Sequence, residues 1–304
     1  MALVSGAIAD RAKFGSWMIF AGIWATVVYF PVASWVFNFT LGEDGSVVNG
    51  GWIASMGVID FAGGTAVHIN AGAAALALAL VLGKRVGFAK GAHVPHNPPF
   101  VLLGAGLLWF GWFGFNAGSE LAADGVAAVA FLNTIAAPAA AILGWLIVEK
   151  LRDGKPTSVG AASGAVAGLV AITPACAALS PFWAIVLGLV AGVICALAID
   201  LKFKLGFDDS LDVVGIHLVG GLVGTLYVGI FSTASGLAFG FGFAQLGIQA
   251  LAAFSVLIYS FVLSYVIGLA IQKTIGFRVK NEDEIAGIDT SIHGEEGYVL
   301  ADAR

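Results

Sequence analysis

The chain has 304 residues, 59% hydrophobic and 11% charged, with a mean hydropathy of +0.96. A soluble domain carries about 25% charged residues, so the composition excludes a single soluble globular domain and predicts an all-α polytopic membrane protein. The net charge of −5 and the 14 scattered Lys and Arg residues exclude a basic nucleic-acid-binding surface.

From the N-terminus, Met1 to Ala9 carries no basic residue before Asp10-Arg11-Ala12-Lys13, so a cleavable signal peptide is not expected. Residues 1–13 read as the remnant of a truncated span and its cytoplasmic loop. Eight apolar runs follow, at 14–37, 57–82, 99–117, 125–148, 159–178, 181–201, 213–232 and 245–275, each near the ~20 residues that cross a bilayer as a helix. The 42 glycines suit helices that pack backbone to backbone in lipid. Cys176 and Cys195 lie inside apolar runs and read as small core residues, not as a disulfide or zinc ligands. All Lys and Arg, from Arg11 through Lys90 to Arg304, fall in one alternate set of connectors, which predicts a cytoplasmic side. The opposite set holds Glu43, Asp44, Glu120 and Asp124 without a basic residue. Those acids either concentrate cations at an outer mouth or form an ordinary solvated surface. Eight spans place both termini in the cytoplasm, with a transmembrane domain over 14–277 and a polar regulatory tail over 278–304.

Two runs repeat a pattern. One begins Asp60-Phe-Ala-Gly-Gly-Thr-Ala-Val-His68 and the other Asp212-Val-Val-Gly-Ile-His217. They cross in opposite directions, which suggests an inverted repeat with a site near the midplane. A five-plus-five repeat with one last helix would place three further spans before residue 1. An ionisable side chain inside a membrane marks a pathway or a buried partner. His68 and His217 are either a pore pair or separate ties to backbone carbonyls, and the matching positions favour the pair. Asp60 either caps its helix through the amides of Ala62 and Gly63 or stabilises an entering cation; Asp212 is expected to be its inner counterpart. The third run ends Trp109-Phe-Gly-Trp112-Phe-Gly-Phe115-Asn116-Ala-Gly-Ser119. These aromatic faces and a hydroxyl can hold a small cation, or they form an interfacial belt. His93, His96 and His293 read as solvated histidines, because the ligands for a metal site are not nearby.

The motifs around Asp60 to His68, Gly111 to Ser119, Thr173-Pro174-Ala-Cys176, Asp208 to His217 and His293-Gly-Glu-Glu-Gly-Tyr298 together resemble the ammonium transporter family (Amt/MEP/Rh), prokaryotic Amt type. The resemblance implies the ammonium transporter fold, an inverted five-plus-five repeat plus a last helix, here with about eight transmembrane helices and without the first three spans. It implies a homotrimer in the cell membrane with one pore per subunit, no cofactor and no enzymatic activity. His68 and His217 resemble the twin pore histidines. Ser119, Trp112, Phe37 and Asp60 resemble the ammonium recruitment site, Phe115 a gate, and Asp212, Asn116 and Thr173 structural residues near the pore. Phe37 stands where a tryptophan is expected, and the other gate phenylalanine belongs to an absent span. The implied function is recruitment of ammonium, or its analogue methylammonium, deprotonation, and conduction of ammonia past the histidines. The tail implies a PII signal-transduction protein as partner at the cytoplasmic face. The alternatives are an ammonium sensor, or an inactive fragment that assembles with full-length subunits.

Overall fold

A computed structural model of the chain describes residues 1–42, 47–88 and 95–298; Glu43, Asp44, Lys90, His93 and Arg304 lie outside the described residues. In chain order the helices are α1 (Ala2–Gly6), α2 (Phe14–Phe37), α3 (Trp52–Ser55), α4 (Gly64–Leu82), α5 (Pro98–Glu120), α6 (Gly125–Arg152), α7 (Ser158–Ile172), α8 (Pro181–Leu205), α9 (Val214–Phe231), α10 (Ala244–Thr274) and α11 (Asn281–Ala286). A short antiparallel hairpin pairs β1 (Phe39–Leu41) with β2 (Val47–Gly50), Phe39 opposite Gly50.

Among the described residues, seven helices are long and apolar enough to span a bilayer: α2, α4, α5, α6, α8, α9 and α10. The expected run at 159–178 departs from this. It forms only the 15-residue α7 and turns from Thr173 onward, because Pro174 lacks a donor and disfavours helix in the residue before it. Likewise α4 starts at Gly64 rather than near residue 57, since the preceding segment loops around Asp60. Caps account for other starts. Asn97 Oδ1 accepts from Phe100 N at 3.3 Å ahead of α5, and Asp124 accepts from Val126 N and Ala127 N at 2.9 and 3.0 Å ahead of α6. One of the acids expected at the outer mouth therefore serves as a helix cap.

The tightest packing joins α6 to α7 and α8. A Cβ at Gly188 or Gly192 would overlap the carbonyl oxygen of Ala137 or Ala141, so the two backbones touch through small residues, as helices do in lipid. Replacing Gly192 by leucine is expected to cost about 1–3 kcal/mol through overpacking and to lower the thermal midpoint in detergent; an unchanged midpoint would contradict this contact. Elsewhere α9 crosses α4 so closely that a Cβ at Gly221 would sit 3.1 Å from the Gly64 carbonyl and 3.2 Å from His68 Cβ. Along the other side of α4 runs α10, tied by Ser260 Oγ donating to Asn70 O at 2.7 Å and Gln249 Nε2 donating to Ile59 O at 2.8 Å. Trp24 of α2 donates to Ser264 Oγ at 2.9 Å.

The expected basic side forms one connected end. Arg85 Nε and Nη2 donate to Asp208 Oδ2 and Oδ1 at 2.9 and 3.0 Å, and Nη1 donates to Asp10 at 3.2 Å. Arg11, fully buried, donates to the Asp208 carbonyl and to Ser210 Oγ. Burial pulls the Arg11 guanidinium down to about 10 even with Asp208 beside it. Burial alone would raise the Asp208 carboxyl, but its bonds from Arg85 and the charge of Arg11 hold it below the usual carboxylate range. The chain after α10 joins this end. Arg278 donates to Leu82 O at 3.0 Å and to Glu284 at 2.7 Å, and Glu284 accepts from Val86 N at 2.6 Å. His96, expected to be solvated, has its Nδ1 3.0 Å from the Tyr298 hydroxyl.

Candidate functional site

Both histidine-bearing helices open with a π turn rather than an α turn, Gly64–Ile69 in α4 and Val214–Leu218 in α9. Such turns rotate the side chains that follow and cluster at functional sites. At the crossing of these helices His68 and His217 meet, with Nδ1 to Nδ1 3.2 Å and rings 5.2 Å apart at 21°. They are 1% and 7% exposed. One Nδ1 must donate while the other accepts, so the rings hold opposite tautomers, and adding a charge to both is disfavoured by repulsion. His68 Nε2 is buried without a partner among the described residues. It remains free to bond a small molecule in the seam.

Trp112 stacks on His68 with centroids 5.3 Å apart at 16°. Its indole N–H donates to Thr173 Oγ1 at 2.8 Å, and that hydroxyl donates to Leu169 O at 2.7 Å. Phe115 lies 6.2 Å from the His68 ring and 5.7 Å from Trp112. The motif reading puts Trp112 at the outer mouth with Ser119. Its burial against His68 corrects that placement, because α5 rises about 1.5 Å per residue and Ser119 stands two turns further along. The indole donor is already committed to Thr173. Ser119 Oγ donates to its own helix at Phe115 O, 2.7 Å. Phe37 ends α2 and is 37% exposed; among the described residues it makes no ring contact with the histidine group. Asn116, fully buried, donates to Thr134 Oγ1 at 3.0 Å and so ties α5 to α6.

Asp60 is 8% exposed and folds its loop around its carboxylate. It accepts from Gly63 N at 2.9 Å, Gly64 N, Thr65 N at 2.9 Å, Thr65 Oγ1 and Ala66 N at 3.1 Å. The expected cap donors are Ala62 and Gly63. Gly63 donates and Ala62 does not, because residues 61–63 bend and the helix begins only at Gly64; Gly63 takes the φ of +120° that only glycine adopts freely. With about four lone-pair sites filled, this carboxylate has no site left for a direct ligand.

Asp212 does not mirror Asp60. It has φ +59° and its Oδ1 pairs with Lys202 Nζ at 2.6 Å, with its side chain 29% exposed. The mirrored position is Asp209, which accepts from Val214 N at 2.6 Å and is 1% exposed. Equal spacing carried the signal, since Asp60 and Asp209 each stand eight residues ahead of their histidine. Among the described residues no group of three or more His, Cys, Asp or Glu is placed to hold a metal ion.

This architecture recurs in known proteins. The ammonium transporter from Mycobacterium tuberculosis is 58% identical over 99% of this chain, and the chain spans 65% of that relative's length. The ammonium transporter of Bacillus subtilis is 44% identical, covering 98% of this chain and 72% of its own. Among solved structures, Candida albicans Mep2 superposes with a TM-score of 0.83 at 36% identity, over 92% of this chain and 63% of that one. A chain described as a sensor Amt protein superposes with a TM-score of 0.86 at 33% identity, over 95% of this chain and 73% of its own. The profile of the Ammonium Transporter Family matches residues 1–298, and the chain belongs to that family.

Proposed function

We propose that this chain is the conducting part of an ammonium transporter, and the observation that carries the reading is the buried His68–His217 pair with its unpartnered Nε2. Ammonium approaches from the face opposite the basic end, drawn by the fixed charge of Asp60 and by Phe37, Phe115 and Ser119. Desolvation favours loss of its proton, and neutral ammonia passes Phe115 and then the imidazoles, bonding to His68 Nε2 in turn. Trp112 and Thr173 hold the His68 ring in plane rather than recruiting the ion. The chain crosses the cell (plasma/inner) membrane and its basic end faces the cytoplasm, because Lys and Arg collect there.

In this reading the chain assembles as a homotrimer, and residues 278–304 with the Arg85–Asp208 end form the surface that a PII signal-transduction protein contacts. The likeness to a sensor Amt protein, with a TM-score of 0.86, favours a second reading in which the same site reports ammonium to another protein.

Uptake of labelled methylammonium separates the two. The 304-residue chain, and a chimera preceded by the N-terminal part of the Mycobacterium tuberculosis relative, are expressed in cells lacking their own transporters. Uptake competed by ammonium is expected from at least the chimera. Binding without uptake from either would replace the transporter reading with the sensor.

A further inference from the structure

The two histidine helices begin on carboxylates that are held in opposite ways. Asp60 is saturated by backbone amides and by the Thr65 hydroxyl, so both of its oxygens have partners. At the corresponding offset from Asp209 the chain has Val214 instead of a threonine. Asp209 Oδ2 therefore accepts from the Val214 amide alone among the side-chain bonds described, and its Oδ1 is buried with no partner. A carboxylate 1% exposed with one oxygen bare is under-compensated as an anion, and a proton on Oδ1 removes the deficit.

Nearby cations do not remedy this, because each is engaged elsewhere. In α8 Lys202 pairs with Asp212 and donates to the Asp209 carbonyl, and Asp200 pairs with Arg152 of α6. From the loop after α4, Arg85 pairs with Asp208 and with Asp10 of the N-terminal segment. Arg11 bonds Ser210 and the Asp208 carbonyl, and Arg278 of the C-terminal segment pairs with Glu284. Among the described residues no ion pair reaches the Asp209 carboxylate.

We propose that Asp209 is the proton-exchanging group at the basic end of the pore, and that it changes charge with the acidity of that side. This rests on the reading of the chain as a transporter. In the exchange the Oδ1–H bond breaks, the proton passes to water at the basic face, and the bonding electrons stay on the carboxylate; the reverse step restores the acid. Burial accordingly pushes the Asp209 carboxyl up to about 6, with Asp212 adding in the same direction. Above that value the anion favours the cationic form of substrate leaving the pore, and this draws ammonia out; below it the aid is lost.

The sign for stability follows. The folded state holds this proton more tightly than the unfolded chain, so the stability it contributes is present at low pH and is lost as pH rises through about 6. Two readouts on the purified chain test the proposal. In detergent, the thermal midpoint of wild type is expected to fall relative to Asp209→Asn as pH rises from about 5 to about 7. In liposomes, methylammonium uptake by wild type is expected to slow about threefold when the pH on the basic side drops across the same range, with Asp209→Asn slow and flat. Parallel midpoint profiles for the two proteins, or a wild-type uptake profile in Asp209→Asn, would overturn the proposal. If Asp209→Asn does not fold, Asp209→Glu decides: a displaced midpoint transition supports the assignment and an undisplaced one defeats it. If neither wild type nor the chimera that carries it transports at any pH, the transporter reading fails while the midpoints still decide the proton exchange; if only the chimera transports, the uptake profiles are read in it.

Discussion

Replacing His68 by alanine is expected to reduce methylammonium uptake about tenfold or more without preventing assembly. The imidazole is the hub of the site, 3.2 Å from His217 Nδ1 and stacked on Trp112. Alanine leaves His217 Nδ1 unsatisfied in a site 7% exposed, at a cost of about 1–3 kcal/mol. It also removes the bare Nε2 that would bond the substrate beside the histidine pair. A loss of about 1.4 kcal/mol is tenfold, so a tenfold loss needs only one of these interactions to matter for the rate. The protein should still be recovered folded, with a lowered thermal midpoint, since the helix crossing is set by Gly72 and Gly221. Uptake within about twofold of wild type would defeat the role given to His68.

Replacing Arg85 by alanine is expected to be the most destabilising single change at the basic end. Asp208 is fully buried, and three donors of Arg85, its backbone N–H, Nε and Nη2, reach that one carboxylate at 2.7, 2.9 and 3.0 Å. Removing the guanidinium strands a buried charge, a loss of about 3–5 kcal/mol. The remaining cation, Arg11, is turned to the Asp208 carbonyl and does not substitute. The thermal midpoint in detergent should fall, and the fall should persist in high salt because buried pairs are little screened. Adding Asp208→Ala should recover part of the loss, since it removes the stranded charge. A salt-sensitive loss, or one that the second substitution deepens additively, would show that the pair is a surface contact.

Much of the site is legible from spacing alone. His68 and His217 stand out because an ionisable residue within an apolar run is costly unless it lines a pathway or meets a buried partner, and their meeting follows the inverted arrangement of the two runs. Asp60 is legible as a cap, and Gly63 donates as expected, but Ala62 does not, because residues 61–63 bend and the helix begins only at Gly64. The choice of Asp212 as counterpart fails for a related reason. It is the nearer acid to the helix, yet Lys202 and a left-handed backbone turn it outward, while Asp209 accepts the amide. The aromatic cluster around Trp112 points to the mouth, and only the depth of α5 against α4 shows that its ring lies on His68.

What the sequence determined by itself is local and additive: the membrane class and the rough limits of most apolar runs. Run length acts on each segment separately, through the thickness of the hydrocarbon. What only the tertiary structure decided is relational. The histidine contact joins residues 149 positions apart, and the depth of Trp112 and the bare oxygen of Asp209 likewise depend on where other helices pass. Those crossings are set by backbone contact at glycines and by π turns, which fix distances to fractions of an ångström and leave no periodic trace in the chain.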